Sequence, residues 1–80
     1  MIEQTVTVSS SFGTRSAALL VQTASKFGCN IYIKIAGKNA NAKSIMGIIA
    51  LGAAIGEEVQ LVADGPDEQQ AIAALQQFFE

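Results

Sequence analysis

The chain has 80 residues, 50% of them hydrophobic and 15% charged, with a formal net charge of -2 and a pI near 4.9. That length supports one hydrophobic core and so a single domain over residues 1–80, and a half-apolar composition excludes a disordered segment. The 5 basic residues against 7 acidic form no clustered footprint for nucleic acid, and with no histidine and a lone Cys29 there is no disulfide framework and no metal-ligand spacing.

Residues 2–8 alternate, with Ile2, Val6 and Val8 on one side and Glu3, Thr5 and Thr7 on the other, which predicts a half-buried strand. Ser9 to Thr14 has loop composition, and Gly13 is free to adopt backbone angles closed to other residues. Ala17, Leu20, Val21, Ala24 and Phe27 fall on one face of a helix predicted over 16–27, with Thr14 or Ser16 as N-cap, Leu19 off the stripe and Gly28 as the stop. Ile31, Ile33 and Ile35 alternate with Tyr32 and Lys34 as a second strand.

Ala36-Gly37-Lys38 predicts a tight turn into a short edge strand around Asn39 to Ala42. A short helix follows Ser44 and ends near Gly52, and Val59, Leu61 and Ala63 mark a fourth strand. After the turn Asp64-Gly65-Pro66-Asp67, Asp67 is placed to cap a last helix, with Glu68 near its positive end and Ala71, Ile72, Leu75, Phe78 and Phe79 as its buried stripe. The order βαββαβα predicts an α+β open-faced two-layer sandwich: a mainly antiparallel four-stranded sheet, three helices on one face and the other face wet. The opening residues show no leader pattern and no apolar run approaches the ~18 residues of a membrane span, so a reducing cytoplasm is the expected setting, with no membrane contact.

The helix after Ser44 is apolar nearly all round. If Ile45, Ile48 and Leu51 turn inward, Met46 and Ile49 form an i,i+3 pair facing elsewhere, and a small patch with a deformable methionine suits a protein partner. Burial under a loop is the alternative. Ser44 has the N-cap position for this helix, and a phosphate on its hydroxyl would lie at the positive helix end, bringing about -1.5 to -2 of charge to the rim of the patch. Lys43 is either solvated or a recognition handle beside it.

Gly13 to Phe27, Asn41-Ala42-Lys43-Ser44-Ile45-Met46-Gly47, Leu51-Gly52, Ala63-Asp64-Gly65 and Asp67-Glu68 together resemble the HPr family of the bacterial sugar phosphotransferase system nearly end to end. The resemblance implies the sandwich described above. It also places Gly13 where the family motif has its phosphoacceptor histidine, Arg15 at the motif's arginine and Ser16 at its proline. Glycine carries no nucleophile, so phosphohistidine chemistry is excluded there, and no catalytic residue, cofactor or metal is expected.

Ser44 matches the family's regulatory serine, which implies a Crh-like regulatory protein of carbon catabolite control. It would be phosphorylated by HPr kinase/phosphorylase and act as corepressor for a LacI-type catabolite control repressor. The resemblance further implies a protein-binding set of Arg15, Leu19, Lys43, Ile45, Met46 and Ile49. Two other readings stay open: an interaction module independent of phosphate, including a homodimer made by strand exchange, and a phosphocarrier with a non-histidine acceptor such as Thr14 or Ser16.

Overall fold

Buried and exposed residues alternate strictly over Asn30–Ile35, the strand on which the sheet's pattern is plainest. The computed structural model describes residues 1–9, 13–52 and 54–79; the expected loop residues 10–12 and the terminal Glu80 lie outside the described residues. The elements are β1 (Ile2–Thr7), α1 (Thr14–Ala24), β2 (Asn30–Ile35), β3 (Lys38–Asn41), α2 (Ile45–Leu51), β4 (Glu58–Asp64) and α3 (Glu68–Gln76), which tightens into a 3-10 turn over Gln77–Phe79. The four strands form one antiparallel sheet in the order β1-β4-β2-β3, with Val6 opposite Val59, Ile33 opposite Leu61 and Tyr32 opposite Asn41. This is the expected open-faced α+β sandwich.

Ile31, Ile33 and Ile35 of β2 and Val59, Leu61 and Ala63 of β4 are buried with Leu20 of α1, Ile48 of α2, Leu75 of α3 and Phe79. Each large apolar side chain fully withdrawn from water contributes about 1.5–3 kcal/mol, so this shared layer is what holds three helices to one sheet face. The opposite face is not uniformly wet: Val62 is buried there between Glu3 of β1 and Tyr32 of β2, because a residue on an inner strand is covered by both neighbours even without a second layer.

The sequence expectation for α1 shifts at both ends. The helix begins at Thr14 with Gly13 as its N-cap and no side-chain cap, so neither Thr14 nor Ser16 plays that part. It stops at Ala24 rather than near Phe27: Val21 O accepts from both the Ser25 N–H at 3.0 Å and the Ser25 hydroxyl at 2.8 Å, and the next amides turn to tighter bonds, Lys26 N to Thr23 O and Phe27 N to Ala24 O. Gly13 has φ -103° and ψ -167°, an ordinary extended conformation, so its conformational freedom is not used.

Ala36 and Gly37 form the two-residue turn between β2 and β3, at φ 49° and φ 82°, closed by the Ile35–Lys38 pair. Asp67 also departs from expectation. It stands at the start of α3 but makes no cap bond; its Oδ2 instead accepts from Gly28 N at 2.9 Å, which ties the α3 entrance to the loop before β2. Glu68 takes over the local role, its Oε1 accepting from Gly65 N at 3.1 Å.

Candidate functional site

The approach to Ser44 is fixed by Asn41. Its Oδ1 accepts from Lys43 N at 2.9 Å and its carbonyl accepts from Ser44 N at 3.0 Å, so a side-chain turn and a backbone turn together swing the chain off β3. Between them Ala42 is fully buried and donates to Ile31 O at 2.9 Å. The chain therefore dips into the core at Ala42 and surfaces at Ser44, where the side chain is exposed.

Ser44 is the N-cap of α2 as expected, with extended backbone angles and its Oγ accepting from Gly47 N at 3.4 Å. At that length the bond is weak, so the hydroxyl is held loosely and remains open to another chemistry. Gly47 sits tight against β3: a Cβ there would come within 3.2 Å of the Ala40 Cβ, while meeting the Ser44 Oγ at an ordinary contact distance of 3.5 Å. Gly52 ends the helix at φ 60°, as a left-handed C-cap.

Only Ile48 of α2 is buried, with Leu51 partly buried against the core. Met46 is 75% exposed, Ile49 42% and Leu19 of α1 47%, so the off-stripe residues do form an uncovered surface. Ile45 is the correction to the inward set: at 40% exposed it belongs with the outer group, because a helix of 7 residues lying across α1 and β3 presents only a narrow strip to the core. A cleft of about 150 Å³ lined by Gly13, Thr14, Ala17, Ile48 and Ile49 separates the start of α1 from the far half of α2. The structure thus brings Gly13, Ile49 and α2 together, with Ser44 at the opposite end of the same short helix.

Charge follows the same division. All 5 basic residues lie between Glu3 and Glu57 with no acidic residue among them, so the half built from α1, β2, β3 and α2 carries Arg15, Lys26, Lys34, Lys38 and Lys43, while acidic groups sit on β1, the start and end of β4, and the α3 entrance. Arg15 is exposed on the first turn of α1. Lys43 is not a free handle: its Nζ donates to Phe27 O at 2.8 Å, bridging from the Ser44 segment to the turn after α1.

Reading the residues alone missed three participants: Asn41 as the turn-former, Phe27 as a carbonyl acceptor and Gly47 as the close-packed helix position. Asn41 had a readable signal, since an asparagine three residues before a helix cap can accept from the N–H two residues on and so favours such a turn. A backbone carbonyl at Phe27 has none.

Near this site the Asp67 carboxyl is held below its ordinary value of 3.8, first by the Gly28 N–H and further by the Cys29 thiol and amide facing it. Its Oδ1 is buried with no hydrogen-bond partner among the described residues. Burial, and then Asp67 itself, push the Cys29 thiol up. A depressed carboxylate stabilises the fold above its unfolded-state value, and that contribution is lost as pH falls through the lower native value. Thermal melts should therefore drop steeply below about pH 3.8, with a smaller drop in Asp67→Asn, which retains an oxygen for Gly28 but no longer titrates.

A family model described as the PTS HPr component phosphorylation site matches residues 2–80. The HPr-like protein Crh of Bacillus subtilis is 44% identical over 77 residues, covering 94% of this chain and 91% of the relative. The crystal structure of the phosphocarrier protein HPr of Bacillus anthracis superposes with a TM-score of 0.93 at 37% identity, covering 99% of this chain and 96% of that one. The crystal structure of B. subtilis Crh, described as a swapped, intertwined dimer, gives a TM-score of 0.77 at 38% identity over 99% of this chain and 88% of that one.

Proposed function

The chain belongs to the HPr family, as a Crh-like member, and on that premise we propose that it is a regulatory protein of carbon catabolite control, switched by phosphorylation of Ser44 and not a histidine phosphocarrier. The observation that carries this reading is an exposed hydroxyl at the entrance of a helix whose Met46, Ile49 and Ile45 are uncovered. A modifying enzyme can reach the oxygen, and a partner can reach the apolar surface beside it.

The step is a phosphoryl transfer from a nucleoside triphosphate. The Ser44 Oγ–P bond forms, the bond from the γ-phosphorus to the β,γ-bridging oxygen breaks, the hydroxyl proton passes to a base on the kinase, and the diphosphate leaves. The product carries about -1.5 to -2 of charge at the first turn of α2, where unpaired amides favour an anion. A LacI-type repressor would then read two things at once, the phosphate through its own basic groups and the Met46/Ile49/Leu19 surface through an apolar pocket, with Arg15 meeting an acidic group. Phosphohistidine chemistry has no place in this reading, since the chain holds no imidazole and the resemblance puts Gly13 at the acceptor position.

Incubation with HPr kinase/phosphorylase and ATP, followed by mass mapping, is expected to place one phosphate on Ser44. An unmodified Ser44, or label on Thr14 or Ser16 after treatment with phosphoenolpyruvate and enzyme I, would overturn the reading.

A homodimer formed by exchange of β1 is a second reading, favoured by the edge position of that strand. β1 bonds only to β4, so the same ladder from Ile2–Ala63 to Thr7–Glu58 can form with another copy's β4. Light scattering behind size exclusion is expected to show a slowly exchanging monomer and dimer; monomer alone at every concentration would exclude exchange.

A further inference from the structure

The turn Phe27-Gly28-Cys29 is held by side chains arriving from two different elements. Lys43 Nζ donates to Phe27 O at 2.8 Å from the α2 side, and Asp67 Oδ2 accepts from Gly28 N at 2.9 Å from the α3 side. The stretch lies between the end of α1 and the start of β2, with Phe27 N donating to Ala24 O at 3.2 Å and Cys29 buried at its far end. The hold on the Phe27 carbonyl itself comes from the residue adjoining Ser44.

We propose that Lys43 is a latch for this turn and that a phosphate on Ser44 releases it, by drawing the ammonium from the neutral Phe27 carbonyl to the dianion on the neighbouring residue. This rests on the Ser44 reading above and extends it to what the modification does inside the molecule. The energetic preference is clear in direction. An ammonium bonded to a neutral carbonyl exchanges it for an acceptor that carries about -1.5 to -2 of charge, which adds Coulomb attraction to the hydrogen bond.

The lysine is exposed, so its stem swings without disturbing the core, whereas Asn41 keeps the backbone of residues 43 and 44 in place through its two bonds. Titratable groups facing the turn are Lys43, Asp67 and Cys29, and Asp67 keeps its grip on Gly28 in both states. The outcome is a loosened Phe27 carbonyl with an intact Gly28 tie, so the signal at Ser44 reaches the α1–β2 turn and stops at the α3 entrance.

The test uses full-length protein carrying phosphoserine at position 44 installed by synthesis, so that a failure of the kinase assay and a failure of the latch are separate results. The 13C resonance of the Phe27 carbonyl and the 15N resonance of the Lys43 ammonium are the readouts. Phosphoserine should move both resonances, Lys43→Met should move the Phe27 carbonyl resonance in the same direction without phosphate, and phosphoserine in Lys43→Met should move it no further. The proposal falls if phosphoserine leaves the ammonium resonance in place, if Lys43→Met does not move the Phe27 carbonyl resonance, or if phosphate still moves that resonance in Lys43→Met.

Discussion

Gly65→Ala is expected to remove more than about 3 kcal/mol of stability, a large share of the 5–15 kcal/mol that a small domain possesses. An alanine Cβ at this position would stand 2.5 Å from the Cys29 Cβ and 2.6 Å from the Cys29 Cα, and φ there is 155°. Neither atom belongs to a flexible tip. Cys29 is 1% exposed and immediately precedes β2, while Gly65 is held from its own side by its N–H bond to Glu68 Oε1 and by its carbonyl, which accepts from Glu68 N at 3.3 Å. Relief requires the β4–α3 turn to back away from β2, which breaks the Asn30–Asp64 pairing and the Gly28–Asp67 bond together. Urea denaturation reads the result as a lowered midpoint at unchanged slope. A loss below about 0.5 kcal/mol, the scale of an ordinary surface change, would show that the approach of these two chain segments is not rigid.

Ser44→Ala is expected to abolish both phosphate incorporation and repressor binding while lowering stability by no more than about 1 kcal/mol, the ordinary worth of an N-cap. The cap contact to Gly47 N is long at 3.4 Å, so the structural loss falls at the small end of that range. The functional loss is complete because no second group at the α2 entrance can take its place: the helix carries no charged side chain, and Lys43 is a cation.

The companion variant Met46→Asp leaves the hydroxyl in place. Met46 is 75% exposed, so its replacement costs little folding energy, yet it puts a like charge beside the phosphate and removes the most exposed apolar group of α2. Repressor affinity of the phosphorylated variant should fall at least about tenfold, the effect of losing one well-packed interface residue of more than 1.4 kcal/mol. Titration calorimetry of phosphorylated wild-type protein, phosphorylated Met46→Asp and Ser44→Ala against the repressor separates the alternatives. Binding by Ser44→Ala at wild-type strength would favour the phosphate-independent module, and binding by Met46→Asp at wild-type strength would remove α2 from the interface.

Several parts of this molecule were legible in the amino-acid order because they depend on local periodicity. The strict alternation of Ile31, Ile33 and Ile35 with Tyr32 and Lys34 leaves one register, since a one-residue slip would put every isoleucine in water. The Ala36-Gly37 turn and the Gly52 stop follow from backbone conformations that few residues tolerate. The surplus apolar character of Ile45 to Leu51 showed that one core face could not take all of α2, leaving an exposed patch or burial under a loop open, and the Ser44 cap could be read from its place before that run.

Contacts between elements distant in the chain were decided by the fold alone. Asp67 has the right type and position to cap α3, but the sheet order brings Gly28 within reach and its unpaired N–H takes the carboxylate instead. Lys43 looks like a solvated surface lysine until the packing of α1 beside α2 sets the Phe27 carbonyl in front of it. Gly65 looks like one more turn glycine, and only the closeness of β2 to the β4–α3 turn makes it indispensable. Periodicity reports which face of an element avoids water, a property each segment has by itself; which polar group meets which across 39 residues of chain is a product of how the layers stack, and no segment carries that information alone.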